Sequence, residues 1–142
     1  MIALDRVRLV GLLPQLYPQI SAPRAVIAEY GHCPAWLREV PVQDRSAVRA
    51  LLARNLDLGE SEAIVYALTL PDALLLIDEA RGRRAAEQAG LKIVGTAGVL
   101  ISAKAMRLIP AVKPVLDTLL QDHDFRLSGA IYRAALRASG EA

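Results

Sequence analysis

The sequence predicts an α/β fold with a small parallel sheet, and two observations lead to that class. Short apolar runs of strand length alternate with segments in which apolar residues recur every three or four positions. The run at residues 73–77 is continuous and apolar, as expected for a strand buried on both faces of a parallel sheet, and a similar run follows at residues 91–94. Because a helical segment separates the two runs, strand–helix units with parallel strands are predicted.

The first third of the chain predicts short elements. Residues 2–17 have helical periodicity interrupted by prolines, so one short helix or two abutting helices are expected. A short strand at residues 19–21 follows, then a helix that stops at Gly31, then a loop with an edge strand at residues 32–42. This part of the chain therefore also predicts a strand–helix–strand order.

The rest of the chain is predicted to be mostly helical. Asp44 begins a helix that Asn55 closes, and Asp57 with Glu60 forms a capping box at the start of the next helix. The remaining predicted helices are a basic one at residues 81–89 that ends at Gly90, one at residues 98–106 that Thr96 caps, and two in residues 110–137, of which Ser128 caps the second.

Length and composition restrict the class of protein further. A chain of 142 residues is expected to be a single domain, spanning 1–142. With 54% hydrophobic and 23% charged residues, disordered, collagen-like and coiled-coil classes are excluded. The single cysteine, Cys33, fits a reducing compartment, and no apolar run approaches the roughly 20 residues that span a bilayer. We expect a cytoplasmic protein with no membrane partner.

Acidic side chains follow the predicted strands where ligands bind in parallel sheets, beyond the carboxyl ends. Asp78 and Glu79 end the run at residues 73–77, and Glu60 opens the helix that precedes it. At 100° per residue, Glu60 shares a face with the apolar residues of its helix, whereas Glu62 points the opposite way, which favours a solvated position for Glu62. Glu60 is therefore expected at the rim of a pocket, hydrogen-bonded or on a metal.

Clustered carboxylates without histidine suit a hard divalent ion, Mg²⁺ or Mn²⁺. Such an ion activates water and offsets charge on a phosphodiester oxygen. Two alternatives stay open, because Glu60 is also accounted for by the capping box and Asp78 by a cap on the following helix.

The remaining polar groups are weaker candidates for a functional site. His32 and Cys33 lack the spaced partners of a zinc site, and the acidic residues around His123 suit a turn between helices. The basic helix start that contains Arg81, Arg83 and Arg84 either contacts phosphate or balances the carboxylates.

Four segments together resemble a prokaryotic PIN-like family, relatives of the toxin nucleases of type II toxin–antitoxin pairs. They are Leu-Asp-Leu-Gly-Glu-Ser-Glu-Ala-Ile at residues 56–64, Leu-Leu-Ile-Asp-Glu-Ala-Arg-Gly-Arg-Arg at 75–84, Val-Gly-Thr-Ala-Gly-Val-Leu at 94–100 and Phe-Arg-Leu-Ser at 125–128. The resemblance covers nearly the whole chain. It implies a three-layer α/β/α sandwich with a central parallel sheet, a C-terminal helical hairpin in residues 110–142, and RNA cleavage with Mg²⁺ or Mn²⁺.

The resemblance also implies roles for individual residues. Glu60 and Asp78 are expected to be catalytic. The expected metal ligands are Glu29, Glu60, Glu62, Asp78 and Glu79. The expected substrate-binding residues are Arg81, Arg83, Thr96 and Lys104. The implied partners are RNA, an antitoxin protein and a second copy of the chain, which would cover the apolar segment at residues 2–16.

The chain departs from the family pattern at its start. PIN-like chains usually open with a strand that ends in Asp or Asn, and the first four residues here resemble only the tail of that block. We therefore expect the first strand and its acid to be missing, which would leave the backbone groups of neighbouring strands unpaired. A misassigned start, a strand from another chain and an incomplete acidic site all remain open. The alternative function is accordingly a weak or inactive module that binds RNA or a protein.

Overall fold

The computed structural model describes residues 1–142, which form nine helices and four strands. In chain order the elements are α1 (Ile2–Arg6), α2 (Leu12–Leu16), β1 (Ile20–Pro23), α3 (Arg24–Tyr30), β2 (Leu37–Val40), α4 (Arg45–Leu52), α5 (Leu58–Ala67), β3 (Leu74–Leu76), α6 (Ala80–Gln88), β4 (Lys92–Val94), α7 (Thr96–Ala105), α8 (Lys113–Leu119) and α9 (Gly129–Ala138).

The four strands form two parallel pairs. β1 pairs with β2, with Ile20 opposite Leu37, and β3 pairs with β4, with Leu74 opposite Lys92. A helix joins the strands of each pair, α3 in the first and α6 in the second, because parallel neighbours need a crossover connection. The predicted α/β class with parallel strands is confirmed, and the strands are divided between two two-stranded sheets.

The chain divides into two compact units, one formed by residues 19–94 and the other by residues 1–18 together with 95–142. In the first unit α5 is the central helix and packs against α3, α4, α6, β1 and β3. Its apolar residues occur all round the helix, which is the pattern of a helix buried on every side. Ile64 of α5 packs in a core cluster with Leu56, Leu75, Ile77 and Ala85.

The second unit is built on α7, which packs against α2 and α9. In the apolar segment at residues 2–16, Leu4, Leu12 and Leu13 are buried. The tail is fixed by Glu141, which accepts hydrogen bonds from the backbone N–H groups of Lys113 and Val112 and from Lys104 Nζ. The two backbone donors are the main reason that the pKa of Glu141 falls to about 2.

Helix-start and helix-stop residues behave as the sequence predicts at several positions. Asp44, Asp57 and Ser128 each accept a hydrogen bond from the backbone N–H three residues later, as N-cap residues do. Gly31 and Asn55 have the positive φ that ends a helix, at 96° and 64°. The first segment of the chain is two helices, α1 and α2, rather than one.

Two local predictions are wrong. Thr96 does not cap α7, because the N-cap is Gly95 and Thr96 is the first helical residue, fully buried. The strand predicted at residues 73–77 is shorter and is not buried on both faces, since Leu74 is 49% exposed while Leu75 is buried. This alternation follows from the packing of β3 on α5, which covers one face of the strand. No helix has the length and apolar content needed to span a membrane.

Candidate functional site

Glu60 lies in the first turn of α5, where the cap of the helix fixes its position. Asp57 Oδ1 accepts a hydrogen bond of 2.7 Å from the Glu60 backbone N–H, and Ser61 Oγ donates to the Asp57 carbonyl oxygen at 2.7 Å. The predicted N-cap is therefore present. The Glu60 side chain is half-buried, and its Oε1 atom is buried without a hydrogen-bond partner. An unpaired buried carboxylate oxygen is costly, which marks this group as unusual.

The environment of Glu60 raises the pKa of its carboxyl from 4.5 to about 7. Burial is the main cause, and the negative charge of Asp57 is the next, while the Asp57 backbone N–H acts in the opposite direction. Repulsion from Glu79 and Glu29 raises the pKa further. Four acids from three parts of the chain therefore act on one another at the start of α5.

Glu29, in the last turn of α3, reaches this site across Gly59. A Cβ atom built on Gly59 would lie 3.0 Å from Glu29 Oε2 and 3.5 Å from Asp57 Oδ1, so glycine leaves room for both carboxylates. Burial, and after it the charge of Asp57, raises the pKa of Glu29. The predicted acid of α3 is thus placed beside the start of α5.

The pair Asp78 and Glu79 lies between β3 and α6, and both residues are exposed. Glu79 is the N-cap residue of α6 but makes no side-chain cap bond, and its charge acts on Glu60. Asp78 is one residue closer to β3, and the Ile77 backbone N–H bonds to the Val94 carbonyl oxygen at 2.9 Å, which fixes the chain just before it.

Glu62 is buried, so the prediction of a solvated position is wrong. Its side chain is only 9% exposed; Oε1 accepts from Arg45 Nη1 at 2.8 Å and Oε2 from the Ala25 backbone N–H at 3.2 Å. A solvated Glu62 would require α5 to have one side exposed to solvent. Because α3 and α4 both pack on α5, the face opposite Glu60 is also covered.

The predicted substrate-binding residues are in different environments. Arg81 is exposed and donates to the Asn55 carbonyl oxygen at 3.2 Å, and Arg83 is partly buried and donates to the Ile77 carbonyl oxygen at 2.9 Å. Thr96 and Lys104 belong to the unit of residues 1–18 and 95–142, where Thr96 is fully buried and Lys104 donates to the Ser139 carbonyl oxygen and to Glu141.

The weaker polar groups have local partners. The thiol of Cys33 lies 3.2 Å from the Leu37 carbonyl oxygen, and the rings of Tyr30 and His32 are in contact. Asp122 and Asp124 both bind the Arg6 guanidinium. These residues therefore have structural interactions of their own.

Three features of the site are not predicted from the sequence. The sequence predicts Asp57 only as a cap, yet its carboxylate is one of the acids that act on Glu60. Its position at the same helix end as Glu60 was the available signal. The other two are the ion pair of Glu62 with Arg45 and the close approach of Gly82 to Glu60, where a Cβ atom on Gly82 would lie 3.0 Å from Glu60 Oε1. Neither has a signal in the sequence, because both depend on how helices pack.

The donor set at the start of α5 fits a hard divalent cation by its chemistry. Glu60 Oε1 is a buried oxygen without a partner, and the surrounding groups are carboxylates, which are the ligands that Mg²⁺ and Mn²⁺ prefer. No group of three or more His, Cys, Asp or Glu side chains is arranged closely enough to hold an ion as it stands. Binding would therefore require these carboxylates to move closer together.

The fold and this site together define a mixed α/β domain with carboxylates at the start of its central helix. A PIN domain family, DUF3368, matches residues 1–141. The chain therefore belongs to this PIN domain family, a nuclease-type fold whose members generally use divalent metal ions. No curated protein and no solved structure matches the chain.

Proposed function

We propose that the chain is a metal-dependent ribonuclease of the PIN type, the toxin of a type II toxin–antitoxin pair, acting in the cytoplasm. The observation that carries the proposal is the state of Glu60, whose Oε1 is buried without a partner among three other acids. A divalent cation would supply the partner that Glu60 Oε1 lacks. Membership of the PIN family supports the same conclusion.

Mg²⁺ or Mn²⁺, when bound, would supply a Lewis acid that lowers the pKa of water and offsets charge on a phosphodiester oxygen. In the proposal Glu60 and Asp78 are the catalytic carboxylates and also bind the ion, together with Glu29 and Glu79. Asp57 holds the Glu60 backbone and adds negative charge. Glu62 belongs to the predicted ligands as well, and would have to exchange Arg45 for the ion.

The arginines of α6 support a role for RNA as substrate. Arg81 and Arg84 are exposed on the helix that begins beside Glu79, so their guanidinium groups can reach a phosphate. Arg83 has a different task, since its bond to the Ile77 carbonyl oxygen fixes the chain before Asp78. Thr96 and Lys104 are less suited to binding substrate, because Thr96 is buried and Lys104 already donates to Glu141.

A second candidate is a PIN-like module that binds RNA or a protein without cutting it. The observation that favours it is the spacing of the acids, which are not gathered closely enough to hold an ion. The two candidates differ in their need for metal, because the module has no use for Mg²⁺ or Mn²⁺.

The experiment that tests the proposal is cleavage of a mixed pool of single-stranded RNA with added Mn²⁺. We expect cleavage that is lost with a chelator, and reduced at least 100-fold in Glu60→Gln and in Asp78→Asn. The matched control is Glu87→Gln, an exposed acid on α6. Chelator-resistant cleavage, or equal cleavage by Glu60→Gln, would contradict the proposal. RNA binding without cleavage would favour the second candidate.

A protein partner, either an antitoxin or a second copy of the chain, also belongs to the proposal. An apolar groove of about 300 Å³ lies between α4, α5 and α6, lined mainly by alanine, leucine and valine side chains. Leu68 in this groove is 51% exposed. Sedimentation at micromolar concentration decides whether a second copy of the chain binds, since a monomer would exclude the homodimer.

A further inference from the structure

Gly82 is a buried residue in the first turn of α6, and its backbone does not explain why glycine is there. Positive φ occurs at Gly31, Gly90 and Gly140, whereas Gly82 has ordinary helical geometry. Any residue could adopt this conformation, and glycine weakens the interior of a helix. The reason for glycine at this position must therefore be the space around it.

That space is taken by two side chains. A Cβ atom on Gly82 would lie 3.0 Å from Glu60 Oε1 and 2.6 Å from Ile77 Cδ1. Both neighbours are held in place, because Glu60 Oε1 is buried and Ile77 belongs to the core cluster. A methyl group at this position would therefore displace the Glu60 carboxylate, the Ile77 side chain, or both.

We infer that Gly82 is a positioning residue for Glu60: the absence of a side chain lets the first turn of α6 lie against the Glu60 carboxylate and fixes the position of Oε1. This inference rests on the proposed function, in which Glu60 binds the divalent ion. It goes further by assigning to α6 a part of the site that carries no charge.

The test uses Gly82→Ala, Ile77→Val and the double variant. Ile77→Val removes the Cδ1 atom, which would be the nearest neighbour of the added methyl group, so in the double variant the close contact with Glu60 remains. The readouts are thermal unfolding of the metal-free protein, Mn²⁺ affinity by calorimetry, and the ¹³C resonance of the Glu60 carboxyl in the metal-free protein at one fixed pH. Gly11→Ala is the matched control, since nothing lies within 4 Å of a Cβ atom there.

We expect Gly82→Ala to lower the melting temperature and to weaken Mn²⁺ binding at least tenfold. The double variant should melt like Ile77→Val but still bind Mn²⁺ at least tenfold more weakly than it. The Glu60 resonance should shift in both variants that carry Gly82→Ala, and Gly11→Ala should change nothing. If Gly82→Ala does not fold, the double variant carries the comparison.

A double variant that binds Mn²⁺ as tightly as Ile77→Val and keeps the wild-type Glu60 resonance would overturn the inference, since Gly82 would then serve only packing against Ile77. A wild-type protein that does not bind Mn²⁺ would instead count against the proposed function. In that case the Glu60 resonance alone decides the role of Gly82, because it is measured without metal.

Discussion

Glu60 carries most of what this structure says about function. Its carboxyl has a pKa of about 7 because burial and neighbouring acids disfavour its charged form. A group with such a pKa is half-charged near neutral pH and gains a strong partner when a cation arrives. The same features make Glu60 a source of instability in the metal-free protein.

Replacing Glu60 by glutamine should therefore stabilise the metal-free protein at pH 8. Because the pKa of Glu60 is about 7 in the folded protein and 4.5 ordinarily, its favourable contribution is present below pH 4.5 and is lost as the pH rises through 7. We expect Glu60→Gln to raise the free energy of unfolding by about 1–2 kcal/mol at pH 8, a value reduced for partial exposure of the side chain. This difference should disappear towards pH 4.5. Urea unfolding of both proteins across this pH range measures it.

The control for this comparison is Glu87→Gln, which changes an exposed acid on α6 and should leave the free energy of unfolding unchanged at every pH. A gain for Glu60→Gln that is equal at pH 4.5 and pH 8 would contradict the assigned cause, since it would not depend on ionisation.

Glu62 is the opposite case, because both oxygens of its carboxylate accept a hydrogen bond. It joins the starts of α3 and α4 to α5 through the Ala25 backbone N–H and Arg45. Glu62→Ala removes the acceptor of the Ala25 backbone N–H and breaks the ion pair with Arg45, and we expect it to lower the free energy of unfolding by about 1–3 kcal/mol. Urea unfolding should show this loss, whereas Glu87→Ala should show almost none. Unchanged stability in Glu62→Ala would mean that the pair contributes nothing.

At the level of elements, local signals in the sequence determine most helix boundaries. Caps such as Asp44, Asp57 and Ser128 act within one turn, so their effect can be read from neighbouring residues. The faces of α5 could not be read in this way. In a helix with only one buried side, Glu60 and Glu62 would lie in different environments. The helix α5 is instead covered on both sides, by α3 and α4, and this packing depends on contacts between residues that are distant in sequence.

The cap of α9 offers a direct test at this level. Ser128 Oγ accepts a hydrogen bond of 3.1 Å from the Ile131 backbone N–H. Ser128→Ala removes the acceptor and should cost about 1 kcal/mol in the free energy of unfolding. Ser46→Ala, at an exposed serine in the first turn of α4 that is not the N-cap residue, should have no such cost, because Asp44 caps that helix. Equal effects of the two substitutions on chemical unfolding would rule out the capping role.

The strands show which features cannot be predicted from neighbouring residues in the sequence. The sequence predicts strands and their parallel pairing, because the helices between them make crossover connections. The division into two two-stranded sheets is a property of the assembled chain, and so is the exposure of Leu74 at the start of β3. A continuous apolar run indicates a strand, but only its neighbours decide whether both faces are covered.

At the scale of the whole molecule, the sequence could identify the family and the acids, and could not arrange them. Glu29, Glu60 and Glu79 come from separate segments, and the structure brings them to one helix start together with Asp57. The resemblance implies that Thr96 and Lys104 bind substrate, yet Thr96 is buried and Lys104 donates to Glu141. Such constraints arise only when the chain folds.

The proposed ribonuclease function depends most on whether the carboxylates at the start of α5 bind a divalent ion. The most direct measurement is Mn²⁺ titration by calorimetry at pH 8, comparing wild type, Glu60→Gln, Asp78→Asn and the control Glu87→Gln. We predict one site per chain, unchanged in the control and weakened at least tenfold in each of the other two variants. No binding by the wild type, or equal binding by Glu60→Gln, would contradict a metal site built on Glu60.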